Sequence, residues 1–158
     1  MKLFANESTR IADQLARAFD GEAWHGDSLL EILNGVSAEQ AVSRPIPAAH
    51  SIWELVLHIT AWDRAVLRRF DGTAVELSDA ENFPAVVDAS DTAWAKAVSE
   101  MKLVHQKLID AVKRLPDKKL AELVPGKEGE HYTFYYMLHG VAQHEIYHAG
   151  QIALLKKV

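Results

Sequence analysis

Apolar residues recur along most of the chain at intervals of three and four, the spacing that gathers them on one face of an α-helix turning 3.6 residues per cycle. Ile11, Leu15, Ala18 and Phe19 mark a first amphipathic helix from about Ser8 to Phe19, with Arg10, Asp13, Gln14 and Arg17 on its other side. Asp20-Gly21 interrupts it. After Trp24-His25-Gly26 a short apolar helix is predicted over Ser28 to Leu33, ending at Asn34-Gly35, so the pattern fits one broken helix or two. Ser37-Ala38-Glu39-Gln40 has the spacing of a capping box for one more short turn, and Pro45 and Pro47 then forbid helix, which makes 44–50 a loop.

Ser51, with Glu54 three residues on, begins a helix that runs to about Phe70, where Asp71-Gly72 stops it. At about 100° per residue, Glu54, Leu55, Ala61, Trp62 and Ala65 share the direction of His58, which places His58 inward; Asp63, Arg64, Arg68 and Arg69 are assigned to the opposite, polar side. The stretch 72–88 has few periodic apolar positions and reads as a long crossover or irregular lid, a loop length that is often functional. Trp94, Val98, Met101, His105, Leu108, Ile109 and Val112 then predict a long helix from Ser90 or Asp91 to Leu115, closed by Pro116, with Lys96, Glu100, Lys102, Lys107, Asp110 and Lys113 facing water. Residues 118–131 are polar, with turns at Pro125-Gly126 and Gly129 and a short helix around Leu120; Thr133 caps a last helix reaching about Lys157. Four substantial helices and no alternating strand pattern predict an all-α four-helix bundle, one domain over residues 1–158.

Composition narrows the chemistry. A length of 158 residues, 49% hydrophobic and 25% charged, fits one globular core. The net charge of -5 offers no basic field for phosphate backbones, so no nucleic acid partner is expected. No apolar run approaches the roughly 20 residues that cross a bilayer and no signal-peptide pattern opens the chain, which predicts no membrane partner and a cytoplasmic location. Cysteine is absent, so a metal here must be held by His, Asp or Glu; the chain has eight histidines.

The last helix carries Gln143-His144-Glu145-Ile146-Tyr147-His148-Ala149-Gly150-Gln151. His144 and His148 point the same way, about 40° apart, with Gln151 and Gly140 on the same stripe, and form a ready chelating pair. The string reads H-E-x-x-H, but Gln151 and Leu154 stand where a metzincin needs Gly and His, and no Asp or Glu follows His148, which removes the zinc-protease reading. A third ligand must come from upstream: His58 is the best candidate and His105, also on an apolar face, competes with it. Neutral imidazoles suit zinc, nickel or iron with one position open to water. Glu145, about 80° off the stripe, is either a general base or, the favoured reading, a surface or supporting charge. Glu54 is a candidate acceptor for a ligand N–H. Gly140 and Gly150 cost helix stability and suggest close approach by a neighbouring helix. Trp53, Trp62 and Trp94 are expected in the core, and His25, His50, His131 and His139 lie in loops or off the stripe.

The segment Glu54-Leu55-Val56-Leu57-His58-Ile59, followed 86 residues later by His144-x-x-x-His148-x-Gly150-Gln151, resembles the DinB/YfiT-like superfamily of metalloenzymes. The resemblance implies a four-helix bundle in which His58, His144 and His148 hold a divalent metal ion, nickel or zinc foremost and iron or manganese next, often in a homodimer. It also implies a small-molecule substrate and, in some relatives, transferase or isomerase chemistry with a low-molecular-weight thiol such as mycothiol or bacillithiol. The expected function is a metal-dependent S-transferase or hydrolase. The alternative is a non-catalytic bundle with a structural metal, acting in small-molecule binding or stress response.

Overall fold

The computed structural model describes residues 6–126 and 131–158. Four long helices, α1 (Glu7–Asp20), α4 (Ile52–Phe70), α6 (Asp91–Arg114) and α8 (Phe134–Leu155), form the body. Four short ones, α2 (Leu29–Leu33), α3 (Ala38–Val42), α5 (Asp79–Asn82) and α7 (Asp117–Leu120), lie in the connections. Each long helix packs on two others: α1 on α6 and α8, and α4 on α6 and α8, which closes a ring around one interior. The fold is all-α, as the periodicity predicts. Among the described residues no helix is long and apolar enough to cross a membrane.

Helix starts follow local capping chemistry. The side chains of Asn6, Ser51, Ser90 and Thr133 accept from main-chain N–H groups that lack a partner in the first turn. At Ser51 the box is complete, because the Glu54 carboxylate accepts from the Ser51 N–H at 2.7 Å. At Ser37 only half forms: its hydroxyl accepts from the Gln40 N–H, but the Gln40 amide reaches the main-chain oxygen of Lys156 instead. The stretch from Ser8 to Leu33 resolves into two separate helices, α1 and α2. Within 72–88 the structure adds α5, capped by Ser78 and Glu81, so this crossover is partly ordered helix rather than irregular throughout. The turn expected at Gly129 lies outside the described residues.

The interior is divided. Phe19, Trp53, Ile59, Met101 and Ile152 belong to one apolar cluster, and Leu15, Val66, Leu108, Phe134 and Val141 to another. Between them in sequence, three of the four long helices each place one member of a middle layer: Asp63 on α4, His105 on α6 and Glu145 on α8, with Phe19 of α1 stacked on His105 at 3.9 Å. Asp63 and Arg69 are therefore buried, not on the outer face where their charge had placed them. The face α4 buries is wider than one stripe because it packs against both α6 and α8. The expectation for the glycines also fails. A Cβ at Gly140 or Gly150 would meet nothing within 4 Å, so neither marks a close helix crossing.

Candidate metal centre

His58 projects from the middle of α4 and His144 and His148 from successive turns of α8, and the packing of these two helices brings the three rings together. His144 Nε2 lies 2.9 Å from His58 Nε2 and 3.0 Å from His148 Nε2. The outer nitrogens of His58 and His148 are held. His58 Nδ1 is 2.8 Å from the main-chain oxygen of Asn82, which only accepts, so the ring proton sits on Nδ1 and Nε2 keeps its lone pair. His148 Nδ1 donates in the same way to Gln151 Oε1 at 2.7 Å. Phe83 stacks on the His58 ring at 4.1 Å and on His50 at 3.7 Å, which fixes the plane of the His58 imidazole.

The donor set fits a cation. Two lone pairs, on His58 and His148, face the third imidazole, and a single proton on His144 Nε2 could satisfy only one of them at a time. One positive ion answers all three. The same surroundings keep the rings neutral: burial, then the neighbouring His148 and His58, push His144 down to about 3. Burial also lowers His58 and His148 from the ordinary histidine value, against the opposing hydrogen bonds from Asn82 and Gln151. Neutral imidazoles are the form that binds metal.

A model of the DinB superfamily matches residues 23–152. The chain belongs to the DinB superfamily. No curated protein matches it, and no solved structure does. In this DinB-superfamily chain the three histidines open onto a cavity of about 470 Å³ whose walls include Trp62, Val66, Arg69, Tyr136, Met137 and Val141.

The other sequence candidates go elsewhere. His105 does not join the three rings; its Nδ1 lies 2.9 Å from Asp63 Oδ2 and 2.7 Å from Glu145 Oε1. Glu145 is therefore neither a surface charge nor a base beside the histidines, because its direction on α8 takes it into the middle layer. This geometry also disposes of the H-E-x-x-H resemblance, since the glutamate faces away from the pair. Burial alone would lower His105, but its hydrogen bonds to the two carboxylates, and then their charges, outweigh it and hold the ring up at about 10. Burial raises Asp63 and pushes Glu145 up to about 7 against the pull of His105. The layer sets the His105 imidazolium against two carboxyl groups, both of them raised by burial.

Glu54 does not support a ligand ring. It accepts from the Ser51 N–H and pairs with Arg44, and the acceptors behind the histidines are Asn82 and Gln151. Trp53 and Trp94 are core residues as expected, but Trp62 lines the cavity and donates its Nε1–H to Asn82 Oδ1 at 2.8 Å. Asn82, Phe83 and Arg69 are the site residues that periodicity did not find, while Trp62 falls by periodicity on the face of His58 but is expected in the core. The Ser78-x-x-Glu81 capping spacing was the one local signal that an ordered turn, and hence a fixed Asn82, lay in the crossover.

Proposed function

We propose that this protein is a divalent-metal-dependent enzyme of small-molecule chemistry, with His58, His144 and His148 as the metal ligands and thiol transfer or hydrolysis as the reaction. The observation that carries the reading is the convergence of three Nε2 atoms beside a cavity, two of them on rings anchored from behind by Asn82 and Gln151. A bound zinc or nickel ion, or iron or manganese in their place, would supply Lewis acidity and lower the pKa of a nucleophile such as water or a thiol. The chain's own residues orient and enclose. Asn82 and Gln151 hold the His58 and His148 rings in the metal-binding tautomer, and Trp62, Val66 and Met137 present an apolar wall that limits water.

The open cavity favours catalysis over the alternative of a structural metal, which would need a fourth protein ligand and a closed site. Glu145, the nearest acidic residue in sequence, is turned into the core. A homodimer belongs to the same reading. It is supported by α8, apolar on most of its circumference, which leaves Ile146, Tyr147 and Leu154 at 40%, 64% and 67% exposure on its outer side.

The deciding experiment measures metal content and turnover together. Purified protein loaded with zinc or nickel is expected to hold about one ion per chain and to conjugate a small thiol to an aryl halide or to hydrolyse an activated ester or amide, both activities vanishing with chelator. A metal-loaded protein inert toward every thiol and ester offered would reject the enzyme reading in favour of the structural one.

A further inference from the structure

The cavity onto which the three histidines open also contains a cation that has no counter-ion among the described residues. Arg69 is 9% exposed, and among the described residues no carboxylate lies within ion-pairing distance of it. Its Nη2 donates to the main-chain oxygen of Val75 at 2.9 Å, Nη1 has only the Met137 sulfur at 3.9 Å, and Nε is buried with no partner. A guanidinium carries five N–H donors and never gives up its charge in a protein, so one good acceptor leaves it far from satisfied. Burying an unpaired charge is among the most costly arrangements a core can hold. A methionine or leucine would fill this wall without that cost. None of the described residues that line the cavity is acidic, so none of them supplies the missing anion.

We infer that Arg69 binds the carboxylate of an elongated, largely apolar substrate whose opposite end lies at His58, His144 and His148. A planar carboxylate matches the guanidinium fork, which offers parallel donors where a lysine would offer a point charge. Trp62 sets the span. The guanidinium carbon stands 5.7 Å from its ring and the His144 ring 6.1 Å from it, so the two polar ends are at most about 12 Å apart, the reach of a three- or four-residue extended chain at ~3.5 Å each. The same cavity is lined by Trp62, Val66, Met137 and Val141, an apolar wall with no acidic group among the described residues. The substrate class is thus a carboxylic acid with an apolar middle and a reactive group, thiol or acyl, at the far end. The inference rests on the metal-enzyme reading for what happens at that far end, but the carboxylate contact itself does not need the metal.

The test compares 6-mercaptohexanoic acid with 6-mercaptohexanol, binding to the full chain by calorimetry and by tryptophan fluorescence, first metal-loaded and then after chelation. The acid is expected to bind at least about tenfold tighter than the alcohol in both forms, the increment of one charge-assisted hydrogen bond. Arg69→Met should abolish that ratio while leaving the alcohol unchanged, and Arg69→Lys should keep part of it. His148→Ala should weaken both probes alike and preserve the ratio. Equal affinity of acid and alcohol in the wild-type protein, or failure of both to bind at millimolar concentration, would overturn the assignment even if an Arg69 variant did not fold. An undiminished ratio in Arg69→Met would do the same. If chelation changes neither affinity while the acid stays preferred, the metal reading falls and the carboxylate site stands.

Discussion

His58, His144 and His148 form one cluster and Asp63, His105 and Glu145 another, both drawing on α4 and α8 and both offering three potential ligand atoms within 4.8 Å of one another. What separates them is charge balance and access. The histidine cluster consists of three like groups with no anion among them and opens onto the cavity, an arrangement compatible with a metal ion. The Asp63 cluster contains its own complement, an imidazolium whose Nδ1 faces both carboxyl groups, and has no more than 2% exposure at any member. A cluster of ligand-type residues is thus a site when its charges are unmatched and it can be reached; matched and sealed, it is part of the core.

Crossed substitutions probe this contrast most strongly. His148→Ala is expected to weaken zinc binding at least about a thousandfold, roughly 4 kcal/mol, in a competition with a chromophoric chelator, whereas Asp63→Ala should stay within about tenfold of wild type. Comparable losses in the two variants would erase the distinction between the clusters. Stability should respond in the reverse sense. In urea unfolding of the metal-free protein, Asp63→Ala leaves a buried imidazolium short of its partner and should cost about 3 kcal/mol or more, while His148→Ala should cost about 1 kcal/mol.

The support behind the ligands comes next in size. Gln151→Leu removes the acceptor that holds the His148 tautomer and should lower zinc affinity about 10- to 100-fold, as the same chelator competition would show. An affinity equal to wild type would mean that the amide does not orient the ring.

The two clusters should also leave opposite marks on the pH dependence of metal-free stability, each proton being worth at most ~1.4 kcal/mol per pH unit. His105 is held up at about 10, above the ordinary 6.5, so its contribution is complete below pH 6.5 and is lost as the pH rises toward 10. Glu145, raised from 4.5 to about 7, adds a loss of the same sign between those values. His144 is depressed from 6.5 to about 3, so its contribution is present above pH 6.5 and is lost as the pH falls toward 3. Burial also raises Asp63 from its ordinary 3.8, so the two clusters oppose each other between pH 3.8 and 6.5, and the clean windows are above 7 and below 3.8. Unfolding free energies of His144→Ala measured across pH should lack part of the acid loss and keep the alkaline one; an unchanged acid limb would contradict the assigned burial of that ring.

Glu54→Gln should have the smallest effect, under about 1 kcal/mol of stability from the weakened Ser51 cap and none on zinc affinity. A tenfold drop in affinity would return Glu54 to the site.

The readings that succeeded from sequence were those with a local cause. Helix positions followed from apolar spacing and from cap residues such as Ser51, Ser90 and Thr133, whose hydrogen bonds reach only three residues along the chain. The direction shared by His144 and His148 is likewise a property of one helix. The misplacements all involve a second helix. Asp63 and Arg69 were assigned to water by their charge, and Glu145 by its angle from the histidine pair, because periodicity measures direction within a helix but not how many neighbours surround it.

The order of the helices, the paired imidazoles on α8 and the inward direction of His58 were therefore contained in the amino-acid sequence, since each depends on backbone geometry over one or two turns. Which histidine meets the pair, which carboxylates are sealed with His105, and the presence of an uncompensated Arg69 in the cavity wall were decided by packing. These depend on which faces of α4, α6 and α8 meet across the bundle, and on a crossover turn at Asn82 that lies 24 residues from the histidine it holds.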